Sequence, residues 1–266
     1  MGKQSTYFAI KNFFPSKKMG QNFLIDENIA QKIAKLVDKD CFDAIIEVGP
    51  GGGILTKFLV LYNKPLIAIE LDKRLASTLH NQFRKYQNLE IVNDDVLKID
   101  LIKLAHHYVN PVLLSNLPYS ISSPMILKFL KQDKIKTFYC MLQKEMVDRI
   151  IAKPGSKGYN AFTVLVSWHA TVVSLMNVSP QAFAPPPKVY SNVVEICRNN
   201  IPYDERFGRF LKLCFSFKRK TLVNNLKHHF TIERIIDVLN TLNKSANIRA
   251  EALIPQELFK LYESLQ

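Results

Sequence analysis

The chain is predicted to fold as an α/β domain with a mostly parallel sheet, followed by a small all-helical domain. Three observations predict this. Short apolar runs alternate with amphipathic segments over most of the chain, glycines follow the first apolar run, and only helical patterns remain beyond about residue 200. Such alternation is typical of parallel strands with helices on both faces of the sheet. We therefore predict a doubly wound domain over 1–200 and a helical domain over 201–266.

The predicted elements follow in a regular order along the first domain. Asp26 can begin a helix, because a carboxylate at that position accepts hydrogen bonds from the free N–H groups of the first turn. Strands are predicted at 44–48, 66–69, 89–92, 112–114 and 138–142, and helices at 54–61, 75–83 and 124–130.

The last two predicted strands depart from this alternation. Residues 171–178 and 189–197 flank the Pro-rich turn 184–188, with no helical pattern between them. Strands joined in this way are usually antiparallel neighbours. The sheet is therefore expected to include an antiparallel terminal strand.

The charge balance indicates a polyanionic partner. The 266 residues carry a formal net charge of +13, and Lys and Arg bind nucleic acid by displacing counterions from its phosphates. The four cysteines are scattered without metal-ligand spacing, and no signal peptide or membrane span is visible. We expect a cytoplasmic protein that binds nucleic acid and neither metal nor membrane. The cysteines are Cys41, Cys140, Cys197 and Cys214.

A glycine-rich turn follows the first predicted strand of the sheet. The segment Glu47-Val48-Gly49-Pro50-Gly51-Gly52-Gly53 places glycines where the backbone must turn sharply and approach a ligand. Its spacing differs from the G-x-G-x-x-G pattern of dinucleotide sites. Glu47 would repel a phosphate and suits a cationic group such as an amino acid's ammonium. The turn therefore favours S-adenosylmethionine, held near Glu47, Gly49 and Gly51.

The next two strands also end in acidic residues. Glu70 and Leu71 follow the second strand, and Asp95 and Val96 follow the third. A carboxylate after the second strand can accept both ribose hydroxyls, and one after the third can accept from an adenine amino group. These residues complete a predicted cofactor site.

The fourth strand is followed by a turn suited to an amine substrate. The side-chain oxygen of Asn116 and the carbonyl of Leu117 can accept the two N–H bonds of an exocyclic adenine amine, which is otherwise a poor nucleophile. Pro118 fixes the backbone, and Tyr119 can stack on the base. Phe183, beside the Pro-rich turn, can cover its other face once the base has left its stack.

Together these residues resemble the ribosomal RNA adenine dimethyltransferases, within them the small-subunit, kasugamycin-sensitivity type. The resemblance rests on the glycine turn and on seven other segments, and it covers most of the chain. It implies a class I, Rossmann-like, S-adenosylmethionine-dependent methyltransferase that dimethylates two adjacent adenosines near the 3′ end of small-subunit rRNA on an assembling subunit. The segments are Lys18-Met19-Gly20-Gln21-Asn22-Phe23-Leu24, Ile69-Glu70-Leu71-Asp72, Asn116 to Tyr119, Met141-Leu142-Gln143-Lys144-Glu145, Pro154-Gly155-Ser156-Lys157, Phe183 to Val189 and Phe217-Lys218-Arg219-Lys220-Thr221-Leu222.

The resemblance also assigns residues outside the strand ends. It places Gln21, Asn22, Leu24 and Asn116 by the cofactor, together with the glycine-turn and acidic residues named above. It also gives the C-terminal domain a part in gripping RNA. Residues 198–230 hold eight Lys or Arg against two acids, which agrees with phosphate contact. We expect the protein to act as a monomer. The predicted RNA-binding residues are Lys17, Lys18, Lys218, Arg219 and Lys220.

Three alternative functions remain open at this point. A sister group of enzymes methylates one adenine of large-subunit rRNA and has a similar target turn, but the 154–157 and 218–222 segments favour the small-subunit type. A binding or assembly factor would not need the intact turn at 116–119. A small-molecule methyltransferase would not need a net charge of +13, and loss of binding with added salt would separate it from an RNA enzyme.

Overall fold

The structure of the protein is a computed structural model that describes residues 22–39 and 41–266. The predicted site residues Lys17, Lys18 and Gln21 lie outside this described part. The strands are β1 (Phe23–Leu24), β2 (Ala44–Val48), β3 (Leu66–Ile69), β4 (Leu89–Val92), β5 (Pro111–Asn116), β6 (Thr137–Gln143), β7 (Ala170–Val178), β8 (Phe183–Ala184) and β9 (Ser191–Arg198). The helices are α1 (Glu27–Ala34), α2 (Thr56–Leu59), α3 (Lys73–Phe83), α4 (Leu101–Ala105), α5 (Ser122–Lys131), α6 (Lys144–Ile150), α7 (Ala161–His169), α8 (Glu205–Cys214), α9 (Leu222–Leu226), α10 (Ile232–Thr241) and α11 (Pro255–Leu265).

A seven-stranded sheet forms the centre of the first part of the chain. Its strand order is β4-β3-β2-β5-β6-β9-β7. The pairs β2·β3, β2·β5, β3·β4 and β5·β6 are parallel, and β9 runs antiparallel to β6. The predicted fold, with its mostly parallel sheet and an antiparallel strand near one end, is confirmed.

Side-chain burial explains why these short runs become strands. Every residue of β2 and β3 is buried, as expected for strands covered by helices on both faces. Each fully buried Ile or Leu contributes about 1.5–3 kcal/mol relative to an exposed one. The carboxylate of Asp26 accepts hydrogen bonds from the backbone N–H groups of Asn28 and Ile29 and so begins α1, as predicted.

By its internal contacts the chain divides into two units, which differ from the predicted domains. The first comprises 1–144 and 173–197, and the second comprises 145–172 and 198–266. The predicted division at residue 200 left 145–172 in the first domain. The contacts place that segment with the C-terminal helices, because α7 is mostly apolar and needs partners on several sides. Trp168, for example, stacks on Phe259 with ring centroids 4.4 Å apart.

Candidate active site

The site lies where the strand order reverses, between β2 and β5. β2 pairs with β3 on one side and β5 on the other, and Val48 is level with both Ile69 and Ser115. Open α/β sheets bind ligands at this kind of position, beyond the carboxyl ends of the strands. The hydroxyl of Ser115 donates a 2.6 Å hydrogen bond to the carbonyl of Val48. This bond joins the strand that carries the glycine turn to the strand that carries the predicted target turn.

The glycine turn requires glycine at two positions for identifiable reasons. Gly49 and Gly51 have φ values of +67° and +58°, in the left-handed region that residues with a Cβ rarely adopt. A Cβ on Gly49 would lie 3.9 Å from the Asn116 carbonyl oxygen and the Pro118 Cδ. A Cβ on Gly51 would lie 3.1 Å from the ring of Phe23. The turn therefore approaches Phe23 closely at Gly51, whereas at Gly49 it is the positive φ that favours glycine.

A cleft that is open to solvent occupies this position. Nine residues predicted for the cofactor or the target line the cleft. The cleft therefore brings together the glycine turn, the target turn, the segment before α1 and the strand β8. The lining residues are Asn22, Phe23, Leu24, Gly49, Pro50, Gly51, Gly52, Ile54, Leu55, Leu75, Asn116, Leu117, Pro118, Tyr119 and Phe183.

Glu70 adjoins the cleft through the glycine turn. Its carboxylate accepts a 3.0 Å hydrogen bond from the backbone N–H of Gly51 and a 2.9 Å hydrogen bond from that of Asp72. The side chain is only 6% exposed, and this burial raises the pKa of Glu70, while the two N–H donors lower it. Glu70 therefore holds the glycine turn in place, and each carboxylate oxygen keeps further acceptor capacity.

The remaining predicted cofactor residues, Leu71, Asp95 and Val96, are not among the residues that line the cleft. Leu71 is 57% exposed, and Val96 is buried. Asp95 is half-buried, and one of its carboxylate oxygens accepts from the backbone N–H of Leu97 at 2.9 Å. Asn93 fixes the turn between these segments, because its amide donates to the Glu70 carbonyl at 2.8 Å.

Glu47 is buried inside β2 rather than exposed at the turn. Oε2 accepts a 2.7 Å hydrogen bond from the hydroxyl of Thr56. Oε1 is buried and has no partner among the described residues. Burial is the main reason why the pKa of Glu47 rises from its ordinary 4.5 to about 8. Oε1 is the oxygen through which Glu47 would contact a cationic group, and this role of Glu47 stays a prediction.

The raised pKa of Glu47 predicts a specific dependence of stability on pH. In the unfolded chain the carboxyl ionises near 4.5, but in the folded protein it holds its proton to about pH 8. The stability that the neutral form provides is therefore complete below pH 4.5 and is lost as the pH rises through 8. Glu47→Gln cannot ionise and should remove this loss, which is on the order of 4 kcal/mol. Urea unfolding of the cofactor-free wild type and of Glu47→Gln at pH 5 and pH 8 measures this loss of stability. The same change in the free energy of unfolding between the two pH values in both proteins would contradict the prediction.

The target turn presents two hydrogen-bond acceptors without partners. Neither the Asn116 side chain nor the Leu117 carbonyl makes a hydrogen bond within the described part of the chain. Pro118 has φ −55° and ψ 131°, and a 3₁₀ turn at Tyr119–Ile121 follows directly. The proline thus holds the backbone extended after Leu117, and both acceptors remain available to a ligand in the cleft.

Two aromatic residues of the cleft are held by backbone or side-chain bonds. The hydroxyl of Tyr119 lies 3.0 Å from that of Ser191, which is fully buried at the start of β9. Phe183 pairs with Leu24 in the two-stranded sheet β1·β8. Both rings are therefore positioned before any substrate arrives. Sequence patterns gave no indication of Ser191, because it lies 72 residues from its partner.

A double-mutant cycle tests whether the bond between Tyr119 and Ser191 positions the tyrosine ring. Tyr119→Phe and Ser191→Ala should each reduce kcat/KM by about 3- to 10-fold, since one neutral hydrogen bond contributes about 0.5–1.5 kcal/mol. Because both variants remove the same bond, the double variant should lose no more than either single one. Ser191→Thr, which keeps the hydroxyl, should retain activity. Multiplicative losses in the double variant would show that the two residues act separately.

The predicted RNA-binding cations within the described part lie on the second unit. Lys218, Arg219 and Lys220 are all exposed. Lys218 Nζ donates to the Lys157 carbonyl at 2.5 Å and lies 3.8 Å from a Glu251 carboxylate oxygen, so it holds the 153–157 loop. Lys220 Nζ lies 4.3 Å from the centre of the Phe217 ring. Arg219 and Lys220 are the better placed of the three to contact phosphates.

Several lining residues were missed by the sequence reasoning. Phe23, Ile54, Leu55 and Leu75 supply apolar walls to the cleft. Apolar residues near a glycine turn are indistinguishable in sequence from core residues, and Leu75 follows the buried face of α3. Among the residues described, no cluster of metal-binding side chains forms, and no helix there has the length and apolar character of a membrane span.

The cleft fits S-adenosylmethionine on structural grounds. The side-chain-free Gly49 leaves room beside the target turn, the buried Glu47 keeps an unpaired oxygen, and Glu70 lies behind the glycine turn with acceptor capacity. A ligand with an ammonium group, a ribose and an adenine ring needs carboxylate acceptors for its N–H and O–H groups and apolar walls for its ring. It also needs space beside the backbone, which the glycines provide.

Comparisons with known proteins show the family to which the chain belongs. The family model described as ribosomal RNA adenine dimethylase matches residues 13–266. A protein of Ureaplasma parvum serovar 3 named ribosomal RNA small subunit methyltransferase A is 42% identical to this chain, over 96% of this chain and 95% of that protein. A protein of Mycoplasma genitalium with the same name is 37% identical, over 96% of this chain and 98% of that protein.

Solved structures show the same fold. A dimethyladenosine transferase from Plasmodium falciparum has a TM-score of 0.75 at 27% identity and covers 89% of this chain and 94% of its own. The 23S rRNA methyltransferase ErmE has a TM-score of 0.69 at 24% identity and covers 92% and 99%, a likeness that concerns the fold alone. The predicted fold class, rRNA adenine dimethyltransferase activity and S-adenosylmethionine cofactor are confirmed. The chain belongs to the ribosomal RNA adenine dimethylase family.

Proposed function

We propose that this enzyme dimethylates two adjacent adenosines near the 3′ end of small-subunit rRNA during subunit assembly, with Asn116 and Leu117 as the groups that activate each target amine. The observation that carries the proposal is the pair of unpartnered acceptors at the end of β5, beside a cleft that fits the methyl donor. The names of the relatives that match nearly the whole chain support the small subunit as the source of the RNA.

The cofactor residues have distinct roles in this proposal. Gly49 and Gly51 let the backbone approach the ligand, Glu47 offers an oxygen to its ammonium, and Glu70 accepts from its ribose hydroxyls. Asp95 accepts from its adenine amine, with Leu71 and Val96 beside the ring and Asn22 and Leu24 closing the cleft. S-adenosylmethionine, when bound, supplies an electrophilic methyl group.

Asn116 and Leu117 act on the target nitrogen. The Asn116 side-chain oxygen and the Leu117 carbonyl oxygen each accept one N–H bond of the adenine N6 amine. Two fixed acceptors draw the nitrogen away from the ring plane, so that its lone pair is less delocalised and points along the line of attack. Such preorganised polar groups stabilise a transition state without reorganising during the reaction.

The same two acceptors serve both methylations of one base. Each transfer replaces one N6 hydrogen by a methyl group, so the monomethylated amine has one N–H left and needs one acceptor. Either acceptor can hold it while the methyl group turns toward the other. The turn can therefore carry out two successive transfers without changing its own conformation.

Tyr119 and Phe183 hold the base between them in this proposal. Tyr119 stacks on the flipped base and is steadied by Ser191, while Phe183, fixed by its pairing with Leu24, covers the opposite face. Flipping costs a few kcal/mol, and stacking on aromatic side chains offsets part of that cost.

The rest of the molecule supplies attraction to RNA. Arg219 and Lys220 on the second unit are exposed and contact phosphates, and Lys218 orders the neighbouring loop. The basic arm with Lys17, Lys18 and Gln21 is proposed to contact the RNA and the cofactor. We expect the enzyme to work as a monomer in the cytoplasm.

The proposal is tested by identifying the modified nucleosides. The protein is incubated with labelled S-adenosylmethionine and, separately, undermethylated small and large ribosomal subunits, and the digested RNA is resolved by chromatography. Labelled dimethyladenosine from the small subunit alone is the expected result. Label in the large subunit would indicate the specificity of the sister group that methylates one adenine of large-subunit rRNA. Absence of label from both subunits would indicate a binding factor.

A further inference from the structure

The carboxyl edge of the sheet carries an exposed surface that the mechanism above does not use. We define the flanking platform as Lys144, Lys188, Val189 and Tyr190. All four are exposed, and the two apolar members are adjacent, with Val189 41% and Tyr190 54% exposed. Neighbouring apolar side chains left in water between two lysines mark an interaction surface more often than isolated ones do.

Backbone pairing holds the platform together. β6 and β9 are antiparallel, with Gln143 opposite Ser191, and the next hydrogen bond of the ladder runs from the Lys144 N–H to the Tyr190 carbonyl at 2.9 Å. Lys144 and Tyr190 are therefore held side by side, although they are 46 positions apart in the sequence. The platform therefore adjoins the ends of β6 and β9, with Lys144 at the start of α6 and residues 188–190 in the connection before β9.

The platform lies close to the target turn. β6 runs parallel to β5, with Met141 level with Asn116, so Lys144 lies three residues further along the same edge, roughly 10 Å beyond Asn116 along the strand direction. Ser191 contacts the Tyr119 hydroxyl at 3.0 Å. The Tyr190 Cα is one peptide beyond Ser191, which places it within roughly 9 Å of that hydroxyl.

These positions point to a site for the nucleotide next to the target. We infer that the flanking platform holds the neighbouring base and its phosphate while the target adenosine occupies the cleft, with Tyr190 stacking on the base and Lys144 and Lys188 contacting the phosphates. Enzymes that flip a base commonly bind the nucleotides on either side of it. Single-stranded nucleic acid is bound by aromatic rings combined with basic side chains, and this is the composition of the platform.

The inference rests on the proposed function and extends it. Two adjacent adenosines are both substrates in that proposal. When one of them is flipped into the cleft, the other loses its stacking contact with it. A platform beside the cleft would keep that second adenosine near the enzyme between the two reactions. Tyr190 would then contribute to substrate binding, because it holds the second base, and it would not contribute to cofactor binding.

Kinetics with undermethylated small subunits test the role of Tyr190. Tyr190→Ala should lower kcat/KM about 10- to 100-fold with unchanged cofactor affinity, because stacking on one base is lost. Tyr190→Phe keeps the ring and should stay close to wild type. Lys144→Ala and Lys188→Ala should each flatten the salt dependence of subunit binding by about one charge. Lys136→Ala is the matched control, since Lys136 is an exposed lysine at the opposite end of β6.

Crosslinking separates this inference from the proposed function. Tyr190 is replaced by p-azidophenylalanine in the full chain, irradiated with undermethylated small subunits, and the crosslinked nucleotide is mapped. Val109, which is 86% exposed before β5 at the other edge of the sheet, carries the same group as control. A crosslink from position 190, and not from 109, to a nucleotide beside the dimethylated adenosines supports the platform. If the wild type dimethylates the subunit but position 190 crosslinks to a nucleotide elsewhere in the rRNA, the platform is overturned and the proposed function stands. If the wild type does not dimethylate the subunit, the platform and the proposed function are both overturned.

Discussion

Replacing Asn116 by alanine is expected to reduce methyl transfer to undermethylated small subunits by about 100- to 1,000-fold. Losing one preorganised polar group that stabilises a transition state typically has an effect of this size. The Asn116 side chain makes no hydrogen bond within the described part of the molecule, so its loss leaves no internal group unpaired and should change stability little. Single-turnover rates at saturating cofactor, together with calorimetric cofactor binding, measure the two effects separately.

A second substitution at the same position sharpens this test. Asn116→Asp retains an acceptor oxygen and should transfer methyl groups faster than Asn116→Ala. Cofactor affinity should stay within about threefold of wild type in both variants, since all the other cofactor residues are unchanged. A normal transfer rate in Asn116→Ala would remove Asn116 from the mechanism, and a parallel loss of cofactor binding would assign it to the cofactor instead.

Replacing Glu70 by alanine is expected to weaken cofactor binding at least 100-fold. Two contributions add: the ribose hydroxyls lose their acceptor, and the glycine turn loses the bond between Glu70 and the Gly51 N–H. Hydrogen bonds to a charged group contribute about 1.5–3 kcal/mol each, and about 1.4 kcal/mol corresponds to a factor of ten. Equilibrium binding of S-adenosylhomocysteine by calorimetry measures the loss.

The matched control for Glu70 is Glu90→Ala, an exposed acid on the neighbouring strand β4. It should bind the cofactor as the wild type does. At very high cofactor concentration Glu70→Ala should regain much of its transfer rate, whereas Asn116→Ala should not. If Glu70→Ala bound cofactor normally, Glu70 would be a structural residue of the turn and the ribose would be held elsewhere.

The strands and most of the target site could be predicted from sequence because they depend on local patterns. The apolar runs at Ala44–Val48, Leu66–Ile69 and Leu89–Val92 have the predicted limits. The alternation with helices implied a parallel sheet, and a parallel sheet brings the carboxyl ends of its strands to one edge. The order of the glycine turn, Glu70 and Asn116 along the chain was therefore enough to place them near one another.

Features that depend on long-range contacts could not be predicted. The bond between Tyr119 and Ser191 and that between Ser115 and Val48 each join segments 67 or more residues apart. The packing of 145–172 with the C-terminal helices has the same origin, since the apolar α7 gives no periodic signal of which face it buries. Burial of Glu47 was also missed, because an acidic residue beside a glycine turn has the composition of an exposed one.

The central claim is that one cleft places two methyl groups on each of two adjacent adenosines of small-subunit rRNA. The most direct measurement is mass spectrometry of the 3′-terminal rRNA fragment after undermethylated small subunits have reacted with the wild type or with Asn116→Ala. The account predicts four added methyl groups, two on each of two neighbouring adenosines, for the wild type and almost none for the variant. Methylation of a single adenosine, of non-adjacent positions, or to the same extent by the variant would contradict it.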